Sequence, residues 1–336
     1  MNAAERYQAS LGESTPESAA AVSALDEVLT SRPLVLVTGK GGVGKSSVAA
    51  ALALRAANLG LRPLLFECDA PPRPSLFPGG IRSDDEIREV IPGVLAVNQS
   101  SDAAIKAYAH HAIPSKTVAE LLLDNRVARL FLHASPSVTE MALLGRIVQL
   151  AEDRSHDGPV IVDLHSTGHA LHVLQAPMGI MRVLRKGPVY DRAKVTGDFV
   201  FNPHLTAVVT VALPEELPVT ELLEVIESLH RIGAPLGPVV LNALLRDPLT
   251  AVSDDTIDRV LAAMPQWTEA CRRAHALRAW AARGAREEHR LREGLVQRGL
   301  RAHILSLPFV IDVASSDETI ATRLDSAIEH EAHRCP

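Results

Sequence analysis

Eight consecutive residues carry the clearest chemistry in the chain. Gly39-Lys40-Gly41-Gly42-Val43-Gly44-Lys45-Ser46 fits the spacing G-x-x-x-x-G-K-[ST]. Glycines at these positions let the backbone curl until successive N–H groups aim at one anion. A helix starting at the end of the loop adds the positive end of its dipole. Lys45 then reaches the β- and γ-phosphates of a nucleotide, and the Ser46 hydroxyl is placed to bind Mg²⁺. The phosphate cradle is accordingly assigned to Gly39, Lys40, Gly41, Gly42, Val43, Gly44, Lys45, Ser46 and Ser47. The chain has six lysines against 28 arginines, and two of the six, Lys40 and Lys45, lie in this loop. A compact ammonium contacts phosphate differently from a planar guanidinium, which gives a reason for lysine to persist here.

Two aspartates complete the set. Asp69 follows an apolar run ending at Cys68, and Asp163 ends the run Val160-Ile161-Val162. If both runs are parallel strands, both carboxylates sit at the carboxyl ends where ligands bind in such sheets. Asp163 suits the acidic residue behind the Mg²⁺ shell. Asp69 suits the residue that orients or deprotonates an attacking water. Either could instead be a loop-capping aspartate.

The elements that must hold these groups follow from the apolar pattern. Strands are expected at Leu34 to Val37, Arg62 to Cys68, Val94 to Val97, Pro159 to Leu164, Ala207 to Leu213, Val239 to Leu241 and Ile304 to Leu307. Helices are expected at Ala19 to Leu29, Ser46 to Asn58 and Glu215 to His230, the last from Leu222, Val225, Ile226 and Leu229 at helical spacing. A strand, glycine loop, helix and strand in succession open a doubly wound α/β fold. Residues 1–30 are expected to be an N-terminal extension, partly disordered. Residues 31–336 are expected to be a single domain with helical elaborations at about 101–151 and 254–300. A last helix is expected over Asp317 to His333.

Lys40 and a second segment point to a family. An extra lysine early in the loop resembles the deviant Walker A loop of the ArsA, MinD and ParA group of P-loop NTPases. Asp163-Leu164-His165-Ser166-Thr167-Gly168-His169-Ala170-Leu171, continuing to Leu174-Gln175-Ala176-Pro177, resembles the switch II segment of ArsA-type ATPases, D-T-A-P-T-G-H-T-L-R followed by L-Q-x-P. Leu164, His165 and Ser166 depart from that pattern. Cys68-Asp69-Ala70 stands where the family has T-D-P. The resemblance implies a P-loop fold with a mostly parallel sheet and ATP and Mg²⁺ as cofactors. It implies catalytic roles for Asp69, Lys40 and Lys45, with Lys40 acting across a dimer interface. It also implies a γ-phosphate contact from the backbone of Gly168, and Asn242 in the place of an adenine-contacting asparagine. Asn242-Ala243-Leu244-Leu245 lacks the Lys and Asp of a guanine-reading box, which favours ATP over GTP.

Composition narrows the partner. Cys68, Cys271 and Cys335 are far apart, so no thiolate cluster for a soft metalloid, no zinc clasp and no disulfide framework is expected. His165, His169 and His172 lack the further ligands of a zinc site. A net charge of −6 gives no global reason to bind nucleic acid, and the Arg-rich tract from Arg272 to Arg301 reads more readily as a solvated helix face than as a DNA surface. No signal peptide or membrane-spanning run is evident, and a cytoplasmic location is expected. The expected function is a dimeric ATPase, homodimeric or paired with a paralogue, whose switching is coupled to a protein client or a membrane partner. Two alternatives stay open: a ParA/MinD-like positioning ATPase, and a weakly hydrolysing regulatory subunit. The apolar residues Ile105, Tyr108, Ile113, Val118, Leu121, Leu122, Leu123, Val127, Leu130, Phe131 and Leu132 could line a client groove or pack as core.

Overall fold

The structure is a computed structural model, and it describes residues 16–70, 76–77, 86–113, 115, 117, 120–121, 124–125, 136–153, 157–164, 167–247, 249–310 and 319–333. In chain order the elements are α1 (Pro16–Ser31), β1 (Leu34–Gly39), α2 (Lys45–Asn58), β2 (Leu64–Cys68), β3 (Arg88–Ile91), β4 (Val94–Gln99), α3 (Ser101–Ala112), α4 (Pro136–Glu152), β5 (Val160–Asp163), α5 (Thr167–Val183), α6 (Pro188–Val200), β6 (Thr206–Ala212), α7 (Glu216–Arg231), β7 (Leu236–Leu244), α8 (Asp254–Ala263), α9 (Thr268–Gln297), β8 (Ile304–Pro308) and α10 (Ile320–His333).

The strands form one eight-stranded sheet in the order β3-β4-β2-β5-β1-β6-β7-β8. Every pairing is parallel except β3 with β4. All six residues of β1 and all seven of β6 are buried, as expected of strands covered on both faces. Alternate residues of β1 serve different layers. Val35 and Val37 join α1, α2 and α10 in one core, whereas Leu34 and Leu36 join α4, α5 and α6 in another. A third cluster packs α7 and α9 against β7. The apolar runs therefore gave the expected strands, each shifted by a few residues at its ends.

Strand β3 was not expected. Arg88 and Glu89 are exposed and only Val90 is buried, so this antiparallel edge strand has no apolar run to betray it. Helix α1 extends the expected Ala19–Leu29 segment at both ends, and its Ala21, Val22, Leu25 and Leu29 belong to the first core. Arg55 of α2 clamps it with two hydrogen bonds to Asp26, of 2.9 and 2.7 Å. In α10, Leu324 and Ile328 are buried in that core too, while Ile320 is half exposed.

Within the expected helical elaboration at 101–151, Ile105 and Tyr108 of α3 pack against Met141 and Ala142 of α4, so these two are core. Leu121 is exposed, and Val118, Leu122, Leu123, Val127, Leu130, Phe131 and Leu132 lie outside the described residues. The elaboration at 254–300 is α8, a short 3₁₀ turn and the 30-residue α9. Many arginines of α9 have carboxylate partners within the chain: Arg272 and Arg273 with Glu269, Arg278 with Asp247 and Asp254, Arg290 with Glu287, Arg292 with Glu288. That pairing suits a solvated face.

Candidate active site

The glycine loop leaves β1 at the middle of the sheet, between β5 and β6. Gly39 ends the strand so close to its neighbour that a Cβ there would lie 2.2 Å from the Val211 carbonyl oxygen. Gly42 and Gly44 have φ of +85° and +87°, in the left-handed region where a side chain is strained. Gly44 is the N-cap of α2, so the loop delivers its last N–H groups directly to a helix N-terminus. Val43 is buried and anchors the loop in the first core, whereas Lys40, Gly41 and Gly42 are exposed.

The sheet brings the charged groups to this edge. Asp163 ends β5, directly beside Val37 of β1, and the Ser46 hydroxyl hydrogen-bonds to its carboxylate. Lys45 Nζ donates to the Lys40 carbonyl at 3.0 Å, folded over its own loop. Burial pushes the Lys45 ammonium below its ordinary range, and the nearby Asp163 charge opposes that shift. Ser47 sits in the first turn of α2, half-buried. Asp69 lies just beyond β2, two strands from the loop, a displacement of about 10 Å at the usual strand spacing.

Three expected residues have partners that no sequence pattern indicated. Lys40 forms an ion pair with Glu221 of α7, within the same chain. Asn242 is buried, and its Nδ2 donates to the Val43 carbonyl at 2.9 Å, turning the amide onto the loop. The bend that aims it is a register shift in β7, where Ala243 has φ +60°. Asp69 has φ +45°, and its carboxylate accepts hydrogen bonds from the N–H and hydroxyl of Ser101 at the start of α3. Gly168 lies in the first turn of α5, and His165 and Ser166 lie outside the described residues. Among the described residues there is no group of three or more His, Cys, Asp or Glu able to hold a metal ion by themselves. Cys68 and Cys271 are both buried free thiols; Cys335 lies outside the described residues.

Residues 32–190, which carry the glycine loop, Asp69 and Asp163, match the model of a family described as anion-transporting ATPase. That segment, just under half of the chain, is similar to the ArsA-type ATPases. Among its relatives, the ATPase BagA of Mycobacterium tuberculosis is 29% identical over 227 residues, 62% of this chain and 64% of that protein. An arsenical pump-driving ATPase of Escherichia coli is 28% identical over 257 residues, 73% of this chain and 40% of that protein. Another, from Acidiphilium multivorum, is 28% identical over 239 residues, 68% of this chain and 38% of that protein. The chain thus spans less than two thirds of the length of these relatives. Its mostly parallel sheet, with the glycine loop after β1 and an early loop lysine in Lys40, is in keeping with the P-loop NTPase fold of that family. Among the described residues, no helix is long and apolar enough to cross a membrane.

Proposed function

We propose that this chain is a Mg²⁺-dependent ATPase whose ATP-driven dimer switching is coupled to a protein client or a membrane partner. The observation that carries the reading is the Ser46–Asp163 hydrogen bond at the N-terminus of α2, beside Lys45. A hydroxyl and a carboxylate held together there are the donor set for a hard divalent cation that keeps most of its waters. Ser46 would be its direct ligand and Asp163 would stand behind, bonding its water shell. Once bound, Mg²⁺ supplies positive charge to the β- and γ-phosphate oxygens.

The chain's own groups do the rest. The loop N–H groups bind the β-phosphate, and Lys45 leaves the Lys40 carbonyl for the phosphate oxygens. Asp69 orients a water and takes its proton as the water oxygen bonds to the γ-phosphorus and the bond to the bridging oxygen breaks. Gly168 offers its N–H to the γ-phosphate. Asn242, through Val43, links the strand that flanks the base to the loop. Lys40 is exposed, in keeping with a role on the nucleotide of a second subunit, and it must leave Glu221 to fulfil it. The three separated cysteines do not suit arsenite, so the coupled partner is proposed to be a protein or membrane component. Phosphate release measured with ATP and with GTP, in the presence and absence of Mg²⁺, tests this. Activity with ATP that disappears on chelation supports the reading. Equal activity without the metal sinks it.

A further inference from the structure

The surroundings of Asp69 say more than its position after β2. Its N–H donates to the Gln99 carbonyl at 3.1 Å, prolonging the β2–β4 ladder past Cys68. The next residue, Ala70, exchanges both backbone groups with one side chain: its N–H donates to Asn98 Oδ1 and its carbonyl accepts from Asn98 Nδ2, each at 3.0 Å. The turn after β2 is thereby fastened to β4 on both sides, and this fastening holds Asp69 at a left-handed φ that a non-glycine residue adopts only at a cost. Into this turn points the first residue of α3. The Ser101 N–H lies 3.2 Å from each Asp69 carboxylate oxygen, and the Ser101 hydroxyl donates to Oδ2. Ser100 independently caps the same helix by accepting the Ala103 N–H at 3.2 Å.

Helix α3 therefore has its ordinary cap and a second anion acceptor supplied from 32 residues away in the chain. A carboxylate at a helix N-terminus is favoured by the dipole and by donors with no partner inside the helix. Ser101 supplies two donors and the Cys68 thiol a third, at 3.7 Å, to a group with about four acceptor positions, so capacity remains for a water. Asp69 is exposed, which leaves that side accessible.

We infer that Ser101 is the positioning residue for Asp69, fixing the rotamer of the carboxylate on the turn that Asn98 fastens. The inference rests on the proposed role of Asp69 and goes beyond it, because it makes the start of α3 part of the hydrolytic apparatus. Since α3 packs on α4 and α4 on α5, the helix that begins at Thr167, this contact joins the two ends of the site through one helical layer.

Three substitutions at position 101 separate the outcomes. Proline is well accepted at the first residue of a helix, so Ser101→Pro removes both donors with little harm to α3. Loss of hydrogen bonds to a charged group should lower kcat by roughly tenfold or more, with KM for ATP unchanged. Ser101→Ala keeps the N–H and should lose a smaller part, roughly threefold, which Ser101→Thr largely restores. In an Asp69→Asn background the same changes should add almost nothing, since Ser101 acts through Asp69. If Ser101→Pro does not fold, Ser101→Ala and Ser101→Thr carry the comparison. Parental or raised kcat in Ser101→Pro and Ser101→Ala, with Asp69→Asn inactive, would overturn the inference and leave the role of Asp69 standing. Parental turnover by Asp69→Asn would overturn both. A kcat loss that persists undiminished in the Asp69→Asn background would show a merely structural role for Ser101.

Discussion

Gly44→Ala is the substitution whose effect can be worked most directly from the structure. Gly44 has φ +87° and ψ +22° at the N-cap of α2. A Cβ there would lie 2.3 Å from Asn242 Nδ2, well inside contact distance. Two costs combine. An alanine in the left-handed region costs about 1–2 kcal/mol relative to glycine. Displacing the Asn242 amide breaks its 2.9 Å hydrogen bond to the Val43 carbonyl, and leaving such groups unpaired in a buried place costs about 1–3 kcal/mol. The loop conformation that binds phosphate should therefore become less favourable by about 2–5 kcal/mol. Even the lower bound corresponds to a loss of about thirtyfold in nucleotide affinity. Titration with a fluorescent ATP analogue measures the loss, and chemical denaturation run alongside tests that the fold persists. Adding Asn242→Ala should relieve the collision but not the φ strain, so affinity should recover only in part. A Gly44→Ala protein that binds nucleotide within about threefold of the parent would refute the reasoning.

Three further outcomes follow from other parts of the chain. Asp325 in α10 is buried and its carboxyl is pushed up from 3.8 to about 6, chiefly by burial and against the pull of Arg55. Its raised value means that the stability it contributes is full below about 4 and is lost as pH rises through about 6; Asp325→Asn should thus stabilise the protein at pH 7.5 in urea denaturation, with an advantage that fades by about pH 4, and no gain at pH 7.5 would contradict this. In Gly145→Ala, the new Cβ would lie 2.5 Å from the Tyr108 ring where α4 crosses α3, so stability should fall by about 1–3 kcal/mol by the same denaturation assay, and an unchanged midpoint would show that the two helices part freely. Burial, with the Asp69 charge second, pushes the Cys68 thiol up to about 12, so peptide mapping after iodoacetamide at pH 8 should find Cys68 unmodified in the folded protein and alkylated in urea; equal labelling in both would contradict its placement.

What could be seen in the sequence was whatever depends on local pattern. Leu34 to Val37 and Val160 to Val162 are apolar runs because their strands are covered on both faces, and the glycine loop is a contiguous motif whose geometry its own residues impose. Asp163 could be paired with Ser46 because both lie at the ends of adjacent elements in a known kind of sheet. The contacts that depend on strand order were invisible. Glu221 meets Lys40 across 181 positions, and Asn242 meets Val43 across 199. Ser100 caps α3 by accepting the Ala103 N–H. That the neighbouring Ser101 would hold Asp69 follows only from β4 lying beside β2. The antiparallel β3 escaped because an edge strand with Arg88 and Glu89 exposed has no apolar period to detect.

The central claim is that the loop from Gly39 to Ser46 holds ATP for hydrolysis by Asp69. Steady-state phosphate release from Mg²⁺-ATP, measured for the parent, Lys45→Ala and Asp69→Asn alongside equilibrium ATP binding, tests it most directly. The parent should release phosphate, Lys45→Ala should lose binding and turnover together, and Asp69→Asn should bind ATP like the parent while losing most of its turnover. Phosphate release that survives Asp69→Asn undiminished, or ATP binding indifferent to Lys45→Ala, would contradict the account.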